Sequence, residues 1–195
     1  MKQMGKYFLA LMPPEALAEE FAELKEQLKV RFLVKYALKS PSHLTLKMPF
    51  SYNEAKEGLL QEQLVQYLKE QKPFLVQVTG VSNFGQRVIY HRVLPCEPLT
   101  NMQLGLRSFC KKSLHLVEEL SDRNFQPHLT LAYKDLKVSQ FDEVLAFARE
   151  QAITADFLVD RLFLLKRIEG RWNILASLAF GQNQLEQANL PESPC

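Results

Sequence analysis

The sequence predicts an α+β protein of two similar halves, each an antiparallel-rich β-sheet with helices on its outer face. Segments of strand length alternate along the chain with segments of helical periodicity. The tetrapeptide His-Leu-Thr-Leu occurs twice, at 43–46 and 128–131, each time in a strand-like context. Around each copy the predicted order is a helix, the tetrapeptide strand, a second helix and a hairpin. This order indicates a duplicated half-domain.

The composition is that of a soluble globular protein. The 195 residues are 47% hydrophobic and 24% charged, which fits one domain over 1–181 with halves at about 6–94 and 99–181. The net charge of +2 argues against a protein that coats long nucleic-acid duplexes. Three cysteines without Cys-x-x-Cys spacing favour reduced thiols in the cytoplasm. No segment approaches the roughly 18 apolar residues of a membrane span, and no obligate protein partner is evident.

The elements of the first half follow from apolar periodicity and from proline and glycine positions. Two prolines at 13 and 14 end the first strand and open a helix, since proline is tolerated in a helix's first turn. The predicted elements are a strand at 7–12, a helix at 15–29, a short strand at 32–38, the first tetrapeptide strand at 43–48 closed by Pro49, a helix from 53 or 54 to about 72, and strands at 74–81 and 87–94 joined by a turn with Gly85.

Residues 95–98, with a proline at each end, are the predicted boundary between the halves. The elements predicted after it are a helix at 99–120, a loop at 121–124, the second tetrapeptide strand from His128, a helix at 140–151, and hairpin strands at 157–167 and 171–180. Residues 182–195 are polar and contain two prolines, which predicts a flexible C-terminal tail.

The two tetrapeptides supply the candidate catalytic groups. In a strand, residues i and i+2 share a face, so His43 lies beside Thr45 and His128 beside Thr130, with the leucines on the opposite face. Two imidazoles suit acid–base chemistry near neutral pH, because one can be neutral while the other is protonated. Each threonine hydroxyl can donate a hydrogen bond to a phosphate oxygen. The constellation needs no metal or other cofactor.

The alternative is that these are ordinary strand residues, because a single histidine on a strand is usually structural. The repeated spacing favours the functional interpretation. The other two histidines serve as internal comparisons. His91 and His115 are each followed at the second position by valine, which has no hydroxyl, and both are predicted to be structural or exposed.

The two His-x-Thr motifs, each flanked by apolar residues, resemble the signature of the 2H phosphoesterase superfamily. That superfamily includes the bacterial 2′-5′ RNA ligases and cyclic nucleotide phosphodiesterases. The segments at 7–11, 81–84 and 170–172 are also similar to its opening strand, its glycine/phenylalanine turn and its final hairpin, with tryptophan replacing tyrosine at 172. The resemblance implies two pseudo-symmetric lobes around a central cleft lined by both motifs, and metal-independent catalysis by His43 and His128. The segment 47–50 departs from the family's usual ending, so the cleft wall there is expected to differ.

Three further residues are candidates for the cleft. Lys47 and Lys134 continue the faces of the two motifs. Lys47 either reaches the phosphate or is a solvated lysine, and for Lys134 the solvated position is favoured. The resemblance makes Phe84 a candidate for stacking on a base, with packing in the core as the alternative.

Three functions from different classes are compatible with this pattern. The leading hypothesis is a metal-independent phosphoesterase acting on a 2′,3′-cyclic phosphate or a 2′-5′ linkage, in RNA ends or small nucleotides. The second is a non-catalytic module that binds RNA ends or nucleotides in the same cleft. The third is a metal site built from the four histidines, which their spacing does not favour because it contains no local ligand pair. Hydrolysis and ligation remain equally open.

Overall fold

The computed structural model describes residues 3–181 and confirms an α+β protein with an antiparallel sheet. The eight strands are β1 (Met4–Leu11), β2 (Leu44–Asn53), β3 (Phe74–Phe84), β4 (Val88–Val93), β5 (His128–Tyr133), β6 (Ala155–Val159), β7 (Arg161–Ile168) and β8 (Arg171–Ala179). The five α-helices are α1 (Glu15–Phe32), α2 (Glu57–Leu68), α3 (Glu97–Lys112), α4 (Leu120–Arg123) and α5 (Phe141–Glu150). The predicted tail at 182–195 lies outside the described residues. No helix between residues 3 and 181 is both long and apolar enough to cross a membrane.

All eight strands belong to one sheet, in the order β6-β3-β4-β5-β2-β1-β7-β8. Every pairing is antiparallel. The two tetrapeptide strands, β2 and β5, are neighbours at the centre, joined through Leu44 and Leu129. The sequence predicts a separate sheet for each half. In the structure the strands of the two halves alternate within one sheet, since β5 of the second half lies between β4 and β2 of the first.

The strand predicted at 157–167 is two strands. β6 pairs with β3, whereas β7 pairs with β1 near the other edge of the sheet. Only Asp160 separates them, so the sheet must curl strongly to bring its two ends together. The backbone carbonyl of Asp160 accepts a 2.7 Å hydrogen bond from the Phe180 N–H, which ties β8 to this junction.

Two other predictions were wrong. The strand predicted at 32–38 is the last residue of α1 followed by a 3-10 helix at Tyr36–Lys39. The Asp135 carboxylate accepts hydrogen bonds from the N–H groups of Lys35 and Tyr36, at 2.8 and 2.7 Å, and so holds this turn against the end of β5. The helix predicted at 99–120 ends at Lys112, because the backbone reverses at His115 (φ 53°).

The helices cover the leucine face of the tetrapeptide strands. Leu44, Leu46 and Leu129 share a buried cluster with residues of α1, α2 and α3. A second cluster joins α1 and α5 to β4 and β5. A third cluster, built from strand residues alone, contains Phe8 and Ala10 of β1, whose neighbours in sequence face the helices. In the part of the chain between residues 3 and 181, the α-helices therefore pack mainly on the leucine face, and the histidine and threonine face stays open to a cavity at its centre.

Candidate active site

Three of the four motif residues line one cavity of about 450 Å³ on the open face of the sheet. They are His43, Thr45 and Thr130. The remaining lining residues are Lys6, Phe8, Lys25, Tyr36, Ala37, Lys39, Ser40, Met48, Pro49, Tyr133, Lys134, Arg167, Gly170 and Trp172.

The central strand pairing determines how the motif residues face one another. Leu44 lies opposite Leu129, so continuing this antiparallel register places His43 opposite Thr130 and Thr45 opposite His128. His128 is not among the residues that line the cavity, but its positive charge, when it is protonated, lowers the pKa of His43. Each of the two strands therefore contributes one imidazole and one hydroxyl, and each imidazole lies opposite the hydroxyl of the other strand.

The two imidazoles are held in the same way. Nδ1 of His43 lies 2.7 Å from the Pro41 carbonyl oxygen, and Nδ1 of His128 lies 2.7 Å from the Gln126 carbonyl oxygen. A carbonyl can only accept, so in each ring Nδ1 carries the proton and donates. In the neutral ring, Nε2 is then the atom with the free lone pair. Both histidines thus present a proton-accepting nitrogen from matching backbone positions.

Aromatic rings pack against both imidazoles. Phe8 lies 4.7 Å from His43 between ring centroids, and Tyr90 lies 5.1 Å from His128. Phe84 lies 4.2 Å from Tyr90 between ring centroids, with the two rings tilted by 31°, and meets His128 edge-on at 5.1 Å. Phe84 does not line the cavity; it is half-buried against His128, and its stacking on a base stays a prediction. The aromatic residues that do face the cavity are Phe8, Tyr36, Tyr133 and Trp172.

Lys47 neither lines the cavity nor is solvated, so both alternatives considered for it, phosphate contact and a solvated position, are wrong. Lys47 pairs with Leu9 while Thr45 pairs with Ala10, so Leu46 is an extra residue that forms a β-bulge. The bulge reverses the alternation and turns Lys47 to the helix-covered face. There its ammonium group is buried, 2.5 Å from the Asp122 carboxylate and 3.0 Å from the Val117 carbonyl oxygen.

β2 also continues through Pro49, which was predicted to close it. Tyr7 pairs with Phe50 and Leu9 with Lys47, so both Met48 and Pro49 lie opposite Phe8. A bulge tolerates proline because its missing N–H is not needed for the ladder. The Met48 N–H is satisfied by the Asp122 carboxylate at 2.7 Å, and Met48 replaces Lys47 in the cavity wall.

Cations dominate the cavity wall. Among residues 3–181, the side chains that line it include no carboxylate and five lysines or arginines: Lys6, Lys25, Lys39, Lys134 and Arg167. Lys134, for which a solvated position was favoured, has φ of 58° and turns back toward Tyr36, whose hydroxyl lies 3.1 Å from its ammonium nitrogen. Such a wall attracts anionic ligands even though the whole chain carries a net charge of only +2.

Lys25 was missed at the sequence level. It lies on α1 between Leu24 and Leu28, both of which are buried, and it is only 4% exposed. A lysine inside an apolar helical stripe is unusual and was the available signal.

Burial lowers the pKa of both motif histidines and so favours the neutral form of each ring. It lowers the pKa of His43 to about 4, and the nearby charges of Lys25 and His128 act in the same direction, against the Pro41 hydrogen bond. Burial also lowers the pKa of His128, against the hydrogen bond to Gln126. An anion bound between the rings would oppose this shift, because it stabilises the protonated form. Ligand binding is therefore expected to be accompanied by proton uptake.

We expect the imidazole NMR signals of His43 to stay at their neutral positions from about pH 8 down to about pH 5, because the folded-state pKa is about 4. In the unfolded chain the group titrates near about 6.5. The folded state therefore binds fewer protons than the unfolded state as the pH falls below about 6.5, and stability decreases over that window. The His43→Ala variant assigns the signal. A midpoint near pH 6.5 would contradict the lowered pKa of His43.

The other histidines lie outside the cavity lining. His91 is fully buried against Phe21, at 5.0 Å between ring centroids, and its Nε2 accepts a hydrogen bond from the Ile153 N–H at 3.0 Å. His115 is exposed in the turn after α3. Among residues 3–181, no three His, Cys, Asp or Glu side chains are grouped closely enough to hold a metal ion.

Comparison with known proteins gives the same assignment as the fold and the paired motifs. The model of the 2′-5′ RNA ligase superfamily matches residues 13–171. A protein of Geobacillus sp. (strain WCH70), provisionally named a phosphoesterase, is 30% identical over 184 residues, covering 93% of this chain and 99% of the relative. The crystal structure of TT0787 from Thermus thermophilus matches with a TM-score of 0.63 at 16% identity, covering 91% of this chain and 99% of the other. E. coli LigT complexed with 3′-AMP matches with a TM-score of 0.60 at 19% identity, covering 92% and 100%.

An antiparallel sheet with two His-x-Thr strands at its centre defines the class as a 2H phosphoesterase fold. The chain belongs to the 2′-5′ RNA ligase superfamily, because the family match spans most of its length. It is accordingly an enzyme with phosphoesterase or 2′-5′ RNA ligase-like activity.

Proposed function

We propose that the protein opens 2′,3′-cyclic phosphates or cleaves 2′-5′ phosphodiester linkages, in RNA ends or small nucleotides, without a metal ion. His43 and His128 act as the general acid and base, and Thr45 and Thr130 bind the phosphate. The observation that carries this proposal is the matched presentation of two imidazoles, each held by a 2.7 Å Nδ1 hydrogen bond to a backbone carbonyl two residues earlier. Binding alone does not require two such titratable groups.

The proposed reaction uses one imidazole in each protonation state. The neutral ring removes a proton from the attacking water at Nε2, and the water oxygen bonds to phosphorus. The bond from phosphorus to the 2′ or 3′ oxygen breaks, and the protonated ring gives its Nε2 proton to that leaving oxygen. The phosphodiester's own negative charge favours protonation of one ring despite their lowered pKa values. In the ligase direction a ribose hydroxyl replaces water.

The comparisons support a nucleotide as the ligand. E. coli LigT, which has the same fold, was crystallised with 3′-AMP, with ATP and with NADP+. In the present chain, the cavity offers basic groups for phosphate and four aromatic side chains for a base. The non-catalytic alternative, a module that binds nucleotides or RNA ends, would use the same cavity but would not consume its ligand.

The proposal is tested by incubating the purified protein with 2′,3′-cyclic mononucleotides, 2′-5′-linked dinucleotides and RNA with a cyclic phosphate end, in the presence of a chelator. We expect turnover of at least one of these to a single phosphate isomer, which chromatography against 2′- and 3′-monophosphate standards identifies. Tight binding without turnover would favour the binding module.

Removing the threonine hydroxyls tests the phosphate-binding role. We expect Thr45→Val and Thr130→Val each to reduce kcat by about 10- to 1000-fold, because each loses a donor to an oxygen whose charge grows in the transition state. Valine keeps the branched shape, so urea unfolding midpoints should change little. Thr45→Ser, which restores a hydroxyl, is the matched control. Unchanged kinetics in both valine variants would contradict phosphate binding by the threonine hydroxyls and indicate that these residues are structural.

A further inference from the structure

A second, smaller cavity of about 260 Å³ adjoins the active-site cavity. Four residues line both of them: Lys25, Lys39, Ser40 and Trp172. The side cavity is completed by Ala22, Leu38, Pro41, Ser42, Arg171 and Asn173. The side cavity therefore lies directly beside His43, since Pro41 and Ser42 immediately precede that histidine in the chain.

Two polar side chains in the side cavity are buried and have no partner. The ammonium group of Lys25 forms no ion pair or hydrogen bond with any residue between 3 and 181, although the residue is only 4% exposed. The hydroxyl of Ser42 is likewise unpartnered in the described part of the chain, and that residue is 5% exposed. Buried polar groups are normally satisfied, so the buried Ser42 hydroxyl lacks an acceptor, and the Lys25 side chain, which lines the cavity, has no counter-charge among residues 3–181. Both groups therefore indicate a ligand that supplies acceptors.

The charges around the side cavity specify that ligand as an anion. In the described part of the chain, its lining contains three cations, Lys25, Lys39 and Arg171, and no carboxylate. A hydroxyl beside ammonium and guanidinium groups is a donor set suited to phosphate oxygens. Burial lowers the pKa of Lys25 to about 8, so it remains largely protonated near neutral pH and can supply its charge.

We infer that the side cavity is a subsite for a second phosphate of the substrate, held by Ser42, Lys25 and Arg171. This inference rests on the proposed function, because the first phosphate is the one that reacts between His43 and His128. The preferred substrate then carries two phosphate groups. The second phosphate is either the diester that links the terminal nucleotide to the rest of an RNA chain or a monophosphate elsewhere on a single nucleotide.

The kinetic test compares three substrates: a 2′,3′-cyclic mononucleotide, the same nucleotide with a 5′-monophosphate, and a dinucleotide with a 2′,3′-cyclic end. We expect kcat/KM to be about 10- to 100-fold higher with the second phosphate, as expected for a charge-assisted hydrogen bond. For each variant, the ratio is kcat/KM for the substrate with the second phosphate divided by kcat/KM for the cyclic mononucleotide. We expect this ratio to fall toward unity in Ser42→Ala and in Lys25→Met. The better of the two larger substrates identifies the source of the second phosphate.

Binding measured by calorimetry tests the subsite without requiring the protein to turn over a substrate. Adenosine 3′,5′-bisphosphate should bind about 10- to 100-fold more tightly than 3′-AMP, and this preference should be lost in both variants. Lys29→Met, one helical turn away on α1 and exposed, is the matched control and should keep the preference. A wild-type ratio near unity in kinetics and in binding would overturn the subsite. If the preference for the bisphosphate is present but no substrate turns over, the subsite stands and the proposed reaction fails.

Discussion

Replacing His43 with alanine is expected to lower kcat for phosphodiester cleavage by about 10²- to 10⁴-fold. We expect His128→Ala to lower kcat by a factor of the same order. Each variant removes one of the two Nε2 atoms that would move protons, while the strands that carry them are held by backbone pairing. Steady-state kinetics on the best substrate from the panel measures both losses. His115→Ala, at an exposed turn outside the cavity lining, is the control and should keep full activity.

The pH dependence of kcat/KM also tests the roles of His43 and His128. Because the pKa of both histidines is lowered in the free protein, the singly protonated pair becomes scarcer as the pH rises. We therefore expect kcat/KM to be bell-shaped with its optimum on the acid side of about pH 6.5. Each single alanine variant should lose one limb. A profile that keeps both limbs in His43→Ala would mean that another group titrates in its place.

The largest expected effect on stability comes from the buried pair of Lys47 and Asp122. Asp122→Asn leaves the Lys47 ammonium group buried without a counter-charge, and should lower the free energy of unfolding by about 3–5 kcal/mol. The two side chains are 2% and 1% exposed, so water cannot replace the lost carboxylate. Urea denaturation followed by circular dichroism measures the change. The N–H groups of Met48 and Glu119 donate to different oxygens of the carboxylate, so asparagine keeps an acceptor for only one of them, and the loss includes one backbone hydrogen bond besides the charge.

A double-mutant cycle separates the charge from other effects. Lys47→Met added to Asp122→Asn removes the buried cation and should recover most of the lost stability, because a pair replaced by uncharged groups is often close to neutral. The single variant Lys47→Met should be milder than Asp122→Asn, because the carboxylate keeps two backbone donors. If the double variant is as unstable as Asp122→Asn alone, the charge of Lys47 is not the cause.

The motifs and most strands were predictable because they depend on local patterns. Alternation alone placed His43, Thr45 and the leucines on opposite faces, and the structure keeps them there. The same rule failed two residues later at Lys47. A single bulge at Leu46 reverses the alternation, and nothing in the residues 44–47 distinguishes a bulged strand from a regular one.

The features that depend on distant contacts could not be predicted. The 3-10 helix at Tyr36–Lys39 is held by Asp135, a hundred positions along the chain from Lys35. The change of partner at Asp160 depends on the order of strands in the sheet and not on the sequence around 155–168. The unpartnered state of Lys25 emerges only when α1 is packed beside the cavity. These are tertiary effects that override local preference.

In the proposed reaction His43 and His128 act together on one phosphate. The most direct test is turnover by His43→Ala/His128→Ala, purified free of nuclease and checked for folding, beside the two single variants. We expect the double variant to be little slower than the slower single variant, because groups that act as a unit are not additive. A double variant that turns over substrate at the wild-type rate would contradict catalysis by the paired histidines and leave a binding module in its place.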